Sequence, residues 1–285
     1  MRSPLTLVKV PILPLFALTF ALACSVIPSA QSESPRTETS WVPSGSNGRV
    51  SKAEAEQIRQ LHHDAALVRE KTGVAVVLQL DADRDFSAPW RAMSGGRSTQ
   101  IALEEALRYL PIIETFLNAY PRTLVRYNLK RIVLAKNLEF EGKGYGGTYS
   151  ESTIFVTSKG ESLGYDDAFL LDLLHAEFSS ILLTYYPDLF ARKRWLKANE
   201  ASWNYEGSGV EMLGTTGLFR QTRSLLKRGF LTPYSTSSLE NDFNTVTKWL
   251  LTRPAALAKL CAKHPRLAKK SRVVRDFYRA LGLDV

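Results

Sequence analysis

The residues best placed to do chemistry lie in one segment, His175-Ala176-Glu177-Phe178-Ser179-Ser180-Ile181-Leu182. In metal-activated hydrolysis, two His four residues apart on a helix hold a zinc ion, and a Glu directly after the first acts as base on the bound water. That spacing works because positions i and i+4 stack on one side of an α-helix. With Glu177 as the base, Ala176 and Ser180 occupy the two imidazole positions. Ala has no donor, and a neutral hydroxyl is a far weaker zinc ligand than imidazole. His175 lies roughly 100° around the helix from Ala176, and its own i+4 partner is Ser179. Glu177 therefore has two readings: a relic general base in a polar network with Ser180, Thr245 or Tyr234, or a helix carboxylate paired with a Lys or Arg. His175 reads as a satisfied core or cleft histidine.

Other catalytic constellations do not assemble. No Gly-x-Ser-x-Gly elbow is present, and Gly207-Ser208-Gly209 reads as a turn. Cys261 and His264 are one helical turn apart without an orienting carboxylate, so Cys261 reads as a small buried residue and His264 as a helix-end cap. His62 and His63, beside Asp64, read as solvent-exposed. No glycine loop followed by Lys and Ser or Thr could cradle phosphate. Trp195, Trp203 and Tyr205 either line a groove or pack in the core.

The elements that must hold Glu177 follow from local signals. Ser51 and Glu54 form a capping-box pattern that opens a helix running to about Lys71, closed by Thr72-Gly73. Val74–Leu80, Arg131–Leu138 and Thr153–Thr157 have strand composition, and the glycine-rich stretch from Gly142 to Gly147 implies a hairpin or edge strand. Ser98 or Thr99 caps an amphipathic helix through Ile113, with Pro111 starting a new turn or a kink. Asp166–Tyr186 is apolar, acidic in its first turn and stopped by Pro187, so it makes a central buried helix. No strand pattern follows it. The fold class is α+β, with a small mixed sheet packed on helices and an α-helical C-terminal half.

Composition bounds the rest. The chain has 285 residues, 45% hydrophobic and 23% charged, which excludes wholesale disorder. Gly and Pro together make about a tenth of it, without a short repeat, which excludes collagen-like and solenoid chains. Residues 1–23 carry Arg2 and Lys9, an uncharged apolar stretch from Val10 to Ala23, and then Cys24, the layout of an export signal. The stretch is shorter than the ~20 residues of a spanning helix and contains Pro11 and Pro14. Ala21-Leu22-Ala23-Cys24 looks like the bacterial lipoprotein box, with Cys24 lipidated and Ser25 favouring the outer membrane; a plain secretory cut after Ala30 is the alternative. Residues 24–50 read as a flexible tether, and 51–285 as the folded part. Without Cys24, the mature chain keeps Cys261 alone and so has no internal disulfide.

The net charge of +9 is concentrated near the C-terminus: residues 248–285 carry ten Lys or Arg against two Asp, a net +8. This basic helical part could lie against anionic head groups, or form a solvated face behind an apolar stripe. No nucleic-acid partner is expected of an exported chain.

Taken together, the segment after Glu177, the Pro187-Asp188-Leu189-Phe190 exit, and Trp195 and Trp203 resemble the zinc-binding metallopeptidase lipoproteins of Bacteroidetes-type bacteria, which have a zincin-like fold. The stretch from Gly229 to Phe243, with Gly229-Phe230, Pro233-Tyr234 and Ser237-Ser238 leading into Asp242-Phe243, resembles the same family's second signature. By that resemblance Thr245 stands where the third metal ligand, a Glu, would be. It covers roughly residues 129–250. All three ligand positions, Ala176, Ser180 and Thr245, are then non-ligating, with Glu177 as relict base and His175 and Tyr234 beside the cleft. The resemblance implies a catalytically inactive envelope lipoprotein, without a cofactor, that binds a peptide or glycan or a partner envelope protein. The alternative is an active hydrolase, with zinc held by other residues, Glu177 as base and His175 recruited by a shift of helix register. A third reading is a structural envelope protein whose cleft is filled by its own side chains.

Overall fold

The computed structural model describes residue 41 and residues 50–80, 85–86, 97–140, 142–205, 207, 209–212 and 217–285. The export segment 1–23, Cys24, and the expected tether apart from Trp41 and Val50 lie outside the described residues.

Helix α1 (Lys52–Thr72) starts where Ser51 Oγ accepts the Glu54 N–H at 3.1 Å. It stops where Gly73 takes φ +81° and donates its N–H to Arg69 O. β1 (Ala75–Val77) and β2 (Arg97–Thr99) follow, then α2 (Leu103–Asn118) and α3 (Arg122–Asn128). Ser98 and Thr99 are strand residues; the N-cap of α2 is Ala102, without a side-chain cap bond. Helix α2 continues through Pro111.

The expected strand Arg131–Leu138 is two strands in two sheets. β3 (Arg131–Ala135) lies between parallel β1 and parallel β7 (Thr153–Thr157), with β6 (Gly147–Ser150) as the antiparallel edge next to β7. After Lys136, whose N–H bonds Thr99 O, the chain enters β4 (Asn137–Phe140), the centre of a second sheet between β2 and β5 (Lys143–Tyr145). Between the sheets Phe86 stacks on Phe155 at 4.4 Å and meets Phe140 edge-on at 5.2 Å. The glycine-rich stretch thus supplies a strand of each sheet.

Helix α4 (Asp167–Tyr185) begins at Asp166, whose Oδ1 accepts the Phe169 N–H at 2.8 Å, and ends before Pro187. It is apolar and long enough, by composition, to cross a membrane, but half of it is buried inside the fold. It packs against α2, the edge strand β6 and, most extensively, α7 (Leu239–Thr252). With helices on several sides it needs no single apolar stripe.

The C-terminal half is helical: α5 (Arg192–Leu196), α6 (Arg223–Arg228), α7, α8 (Pro254–Lys263) and α9 (Pro265–Ala280). His264 stands at the joint of α8 and α9 but caps neither with its ring. Leu267, Val273, Val274, Phe277 and Tyr278 dock α9 on the main core. Within the expected tether, Trp41 is buried: its backbone N–H donates to His62 Nε2 at 2.8 Å and its indole N–H to Ile101 O at 3.1 Å. His62 is therefore half-buried, and desolvation lowers its pKa, while His63 is exposed.

Candidate functional site

Glu177 sits where three elements meet: α4, α7 and the edge strand β6. Its carboxylate presses on Gly147 of β6, where a Cβ would lie 2.9 Å from Glu177 Oε1 and 3.1 Å from Leu173 Cγ. Glycine is required here by the close approach of the edge strand to the central helix.

Helix α7 presents Glu240, Asn244 and Lys248 at four-residue spacing, hence on one side. Glu240 and Lys248 both act electrostatically on Glu177. No side chain among the described residues hydrogen-bonds the Glu177 carboxylate, and no cation lies within ion-pairing distance of it. Burial first, and repulsion from Glu240 second, raise its pKa from 4.5 to about 8, with Lys248 opposing. Glu177 is therefore largely protonated at neutral pH. Desolvation lowers the pKa of Lys248, whose ammonium lies 5.3 Å from the ring centroid of Phe219.

Two phenols complete the surroundings. The Tyr149 hydroxyl lies 3.3 Å from Thr184 Oγ1, and Tyr234 meets the exposed Phe219 at 5.7 Å between ring centroids. Burial raises both phenol pKa values, and the charges of Glu177 and Glu240 raise them further. Gly209, at φ +91°, approaches Tyr234 and Asn241 so closely that a Cβ would fall 2.3 Å from Asn241 Nδ2. Gly209 is thereby laid against the start of α7.

The three positions that the resemblance matches to metal ligands are engaged otherwise. Ala176 is half-buried and donor-free. Ser180 Oγ accepts from Asn244 Nδ2 at 2.7 Å, and Ser179 Oγ donates to Asn244 Oδ1 at 2.5 Å. Thr245 is buried and donates its hydroxyl to Asn241 O of its own helix at 2.7 Å. Zinc does not fit this donor set: one position has no donor, and two have neutral hydroxyls already bonded within the fold. Among the described residues no group of three or more His, Cys, Asp or Glu could hold an ion.

His175 does not join Glu177. It is in the core, with Nδ1 2.8 Å from the Tyr120 hydroxyl and its ring edge-on to Phe116 at 5.3 Å. Burial lowers its pKa to about 3. Ser180 and Thr245 do not bond Glu177 either, and Tyr234 reaches it only electrostatically.

A second polar centre lies farther along α7 and was not anticipated. Lys270 of α9 and Asp242 are fully buried, 2.6 Å apart. Tyr205 also donates to Asp242 Oδ2 at 2.5 Å and accepts from the Trp195 indole N–H at 3.0 Å and from Asn199 Nδ2 at 3.1 Å. The Lys270 ammonium lies 3.8 Å from the Phe230 ring centroid. Burial raises the Asp242 carboxyl and lowers the Lys270 ammonium, and their mutual attraction opposes both shifts. Trp195 and Tyr205 are thus members of a packed network, and Trp203 stacks under Arg228 at 4.4 Å.

The fold has a counterpart among solved structures. It is similar to a "putative zinc-binding metallo-peptidase" from Bacteroides caccae, with a TM-score of 0.51 and 15% identity over 81% of this chain and 88% of that one. The two chains share a fold. No family model matches the sequence. No curated protein matches it either. The likeness to that structure is one of fold alone, and the chemistry must be argued from the residues present in this chain.

Proposed function

We propose that this chain is a bacterial cell-envelope lipoprotein, anchored through Cys24 and held at the outer membrane, that keeps a metallopeptidase scaffold without its catalysis and works as a binding component. The observation that carries this reading is the state of Ala176, Ser180 and Thr245: a missing donor and two hydroxyls tied to Asn244 and Asn241. Glu177 stands beside Glu240 in place of a cation and holds a proton to about pH 8. A carboxyl held largely protonated by burial is a poor acceptor for the proton of an attacking water at neutral pH, which weighs against a general-base role. The side chains gathered around Glu177, namely Tyr149, Tyr234 and the exposed Phe219, are of the kind that would suit a peptide or glycan or a segment of a partner envelope protein.

The deciding measurement is elemental analysis of protein expressed with zinc available, together with peptidase assays of the wild type and Glu177→Gln. We expect zinc far below one ion per chain and no activity that Glu177→Gln removes. One zinc per chain, lost along with a peptidase activity in the variant, establishes the hydrolase instead. For the anchor, Cys24→Ala is expected to release the protein from membranes and block cleavage by the lipoprotein peptidase. Unchanged processing rejects lipidation.

A further inference from the structure

The basic residues near the C-terminus gain their meaning from what α9 packs against. Its neighbours include α5, α6 and α8, and each of these is basic too: Arg192, Lys193 and Arg194 in α5, Arg223, Lys227 and Arg228 in α6, Lys259 and Lys263 in α8. Three contacts weld them into one surface. Arg194 of α5 pairs with Asp276 of α9 at 2.9 Å. Arg266 of α9 donates to Asn199 O, just after α5, at 2.5 Å and packs on Gly229 at the end of α6. Cys261 of α8 feels the charges of Arg272 and Arg275.

Charges scattered over eighty residues of sequence are therefore carried by four helices that meet at α9. Lys193, Lys197, Lys227, Lys263, Lys269 and Arg272 are all exposed, and none of them forms an ion pair with a described residue. Of the acidic groups close by, Asp276 and Glu200 are taken by Arg194, Arg279 and Arg228, while Asp188, beside Leu189, is exposed. Beside the Arg192–Lys197 run stand two exposed leucines, Leu189 and Leu196, each about two-fifths exposed (40% and 41%). Free cations around protruding apolar side chains are what an interfacial membrane contact requires, because the leucines reach the acyl boundary while the cations meet anionic head groups. A soluble polyanion makes no use of the leucines.

We infer that this face, built by α5, α6, α8 and α9, docks on an anionic lipid surface and sets the orientation of the body against the membrane. The inference extends the envelope reading above, but it depends on the surface alone and not on Cys24.

The test is flotation of the full chain with vesicles of phosphatidylcholine alone or with phosphatidylglycerol added. We expect binding to the anionic vesicles to exceed binding to the neutral ones by about a hundredfold or more at low salt, and the excess to vanish at high salt as the charges are screened. At ~1 kcal/mol per cation near an anionic leaflet, the variant Lys193→Glu, Lys197→Glu, Lys269→Glu, Arg272→Glu should lose roughly a hundredfold or more. Leu196→Ser should weaken anionic-vesicle binding about threefold or more while leaving its salt dependence unchanged, since it removes apolar burial and no charge. Equal flotation on both vesicle types overturns the inference, as does a folded charge variant that keeps the preference. Displacement from anionic vesicles by duplex DNA, with Leu196→Ser binding like the wild type, also overturns it in favour of a general polyanion site. The vesicles differ only in head group, so a failed Cys24→Ala experiment removes the anchor and leaves this result standing.

Discussion

Helix α7 carries two carboxyl centres that solve burial in opposite ways. At Asp242 burial is met with partners: Lys270 and Tyr205 reach the same oxygen, and rings of Trp195 and Phe230 lie about the ammonium. Glu177 of α4, near Glu240 of α7, has no such partner among the described residues, and burial lets it hold a proton to about pH 8. The first centre ties α9 to α7 and belongs to the fold. The second is a carboxyl whose protonation is left to its surroundings. The contrast separates what the scaffold needs in order to stand from what a zinc site would have needed in order to work.

The largest effect should come from breaking the paired centre. Lys270→Met leaves Asp242 buried without its cation and is expected to cost about 3–5 kcal/mol. Denaturant unfolding measures it, and Lys270→Met with Asp242→Leu should recover most of the loss. If the single variant costs under ~1 kcal/mol, the pair is not buried in solution and the contrast collapses.

Glu177 should show itself in pH dependence. Its folded pKa of about 8 lies above the ordinary 4.5, so its contribution to stability is complete below about pH 4.5 and fades as pH rises through about 8. Glu177→Gln should be near neutral at the acid end and more stable than the wild type by roughly 2–4 kcal/mol above pH 8. Parallel stability curves for the two proteins would show that Glu177 is paired or solvated. His175 acts in the other direction: its pKa of about 3 favours the folded state above pH 6.5, and that support is lost as pH falls toward 3.

Smaller effects probe the walls of the cleft. Gly147→Ala places a methyl against Glu177 and Leu173 and should cost about 1–3 kcal/mol through overpacking. Pairing it with Glu177→Ala should relieve most of that cost, which a double-mutant cycle reads directly. Ser180→Ala leaves Asn244 Nδ2 without its acceptor and should cost about 1 kcal/mol, measured as a shift of the thermal midpoint. Finally, Ala176→His with Ser180→His and Thr245→Glu should bring zinc binding to a chain that otherwise lacks the donors, measured by metal content and by a rise in Tm on adding zinc.

Much of the scaffold could be read from sequence because its signals are local. Ser51, Gly73, Asp166 and Pro187 end their helices by chemistry that involves only neighbouring residues. The strand from Arg131 could not be resolved that way: it divides at Lys136 because Thr99, distant in sequence, takes that N–H into another sheet. For the same reason Ser98 and Thr99 became a strand, although their composition suits a cap. At the site, spacing alone placed Ala176 and Ser180 on one helix. Glu240, Asn244 and Lys248 carried a readable four-residue rhythm, but only the packing of α4 on α7 turns it toward Glu177. Lys270 gave no sign at all, lying in a run of cations that are otherwise exposed, and its burial depends on Asp242 waiting opposite.

The capture of Trp41 by His62 and Ile101 limits distance. If Cys24 carries the proposed lipid, seventeen residue steps separate it from the seated indole, a reach of at most about 60 Å. Such an anchor would confine the body to partners near its own leaflet.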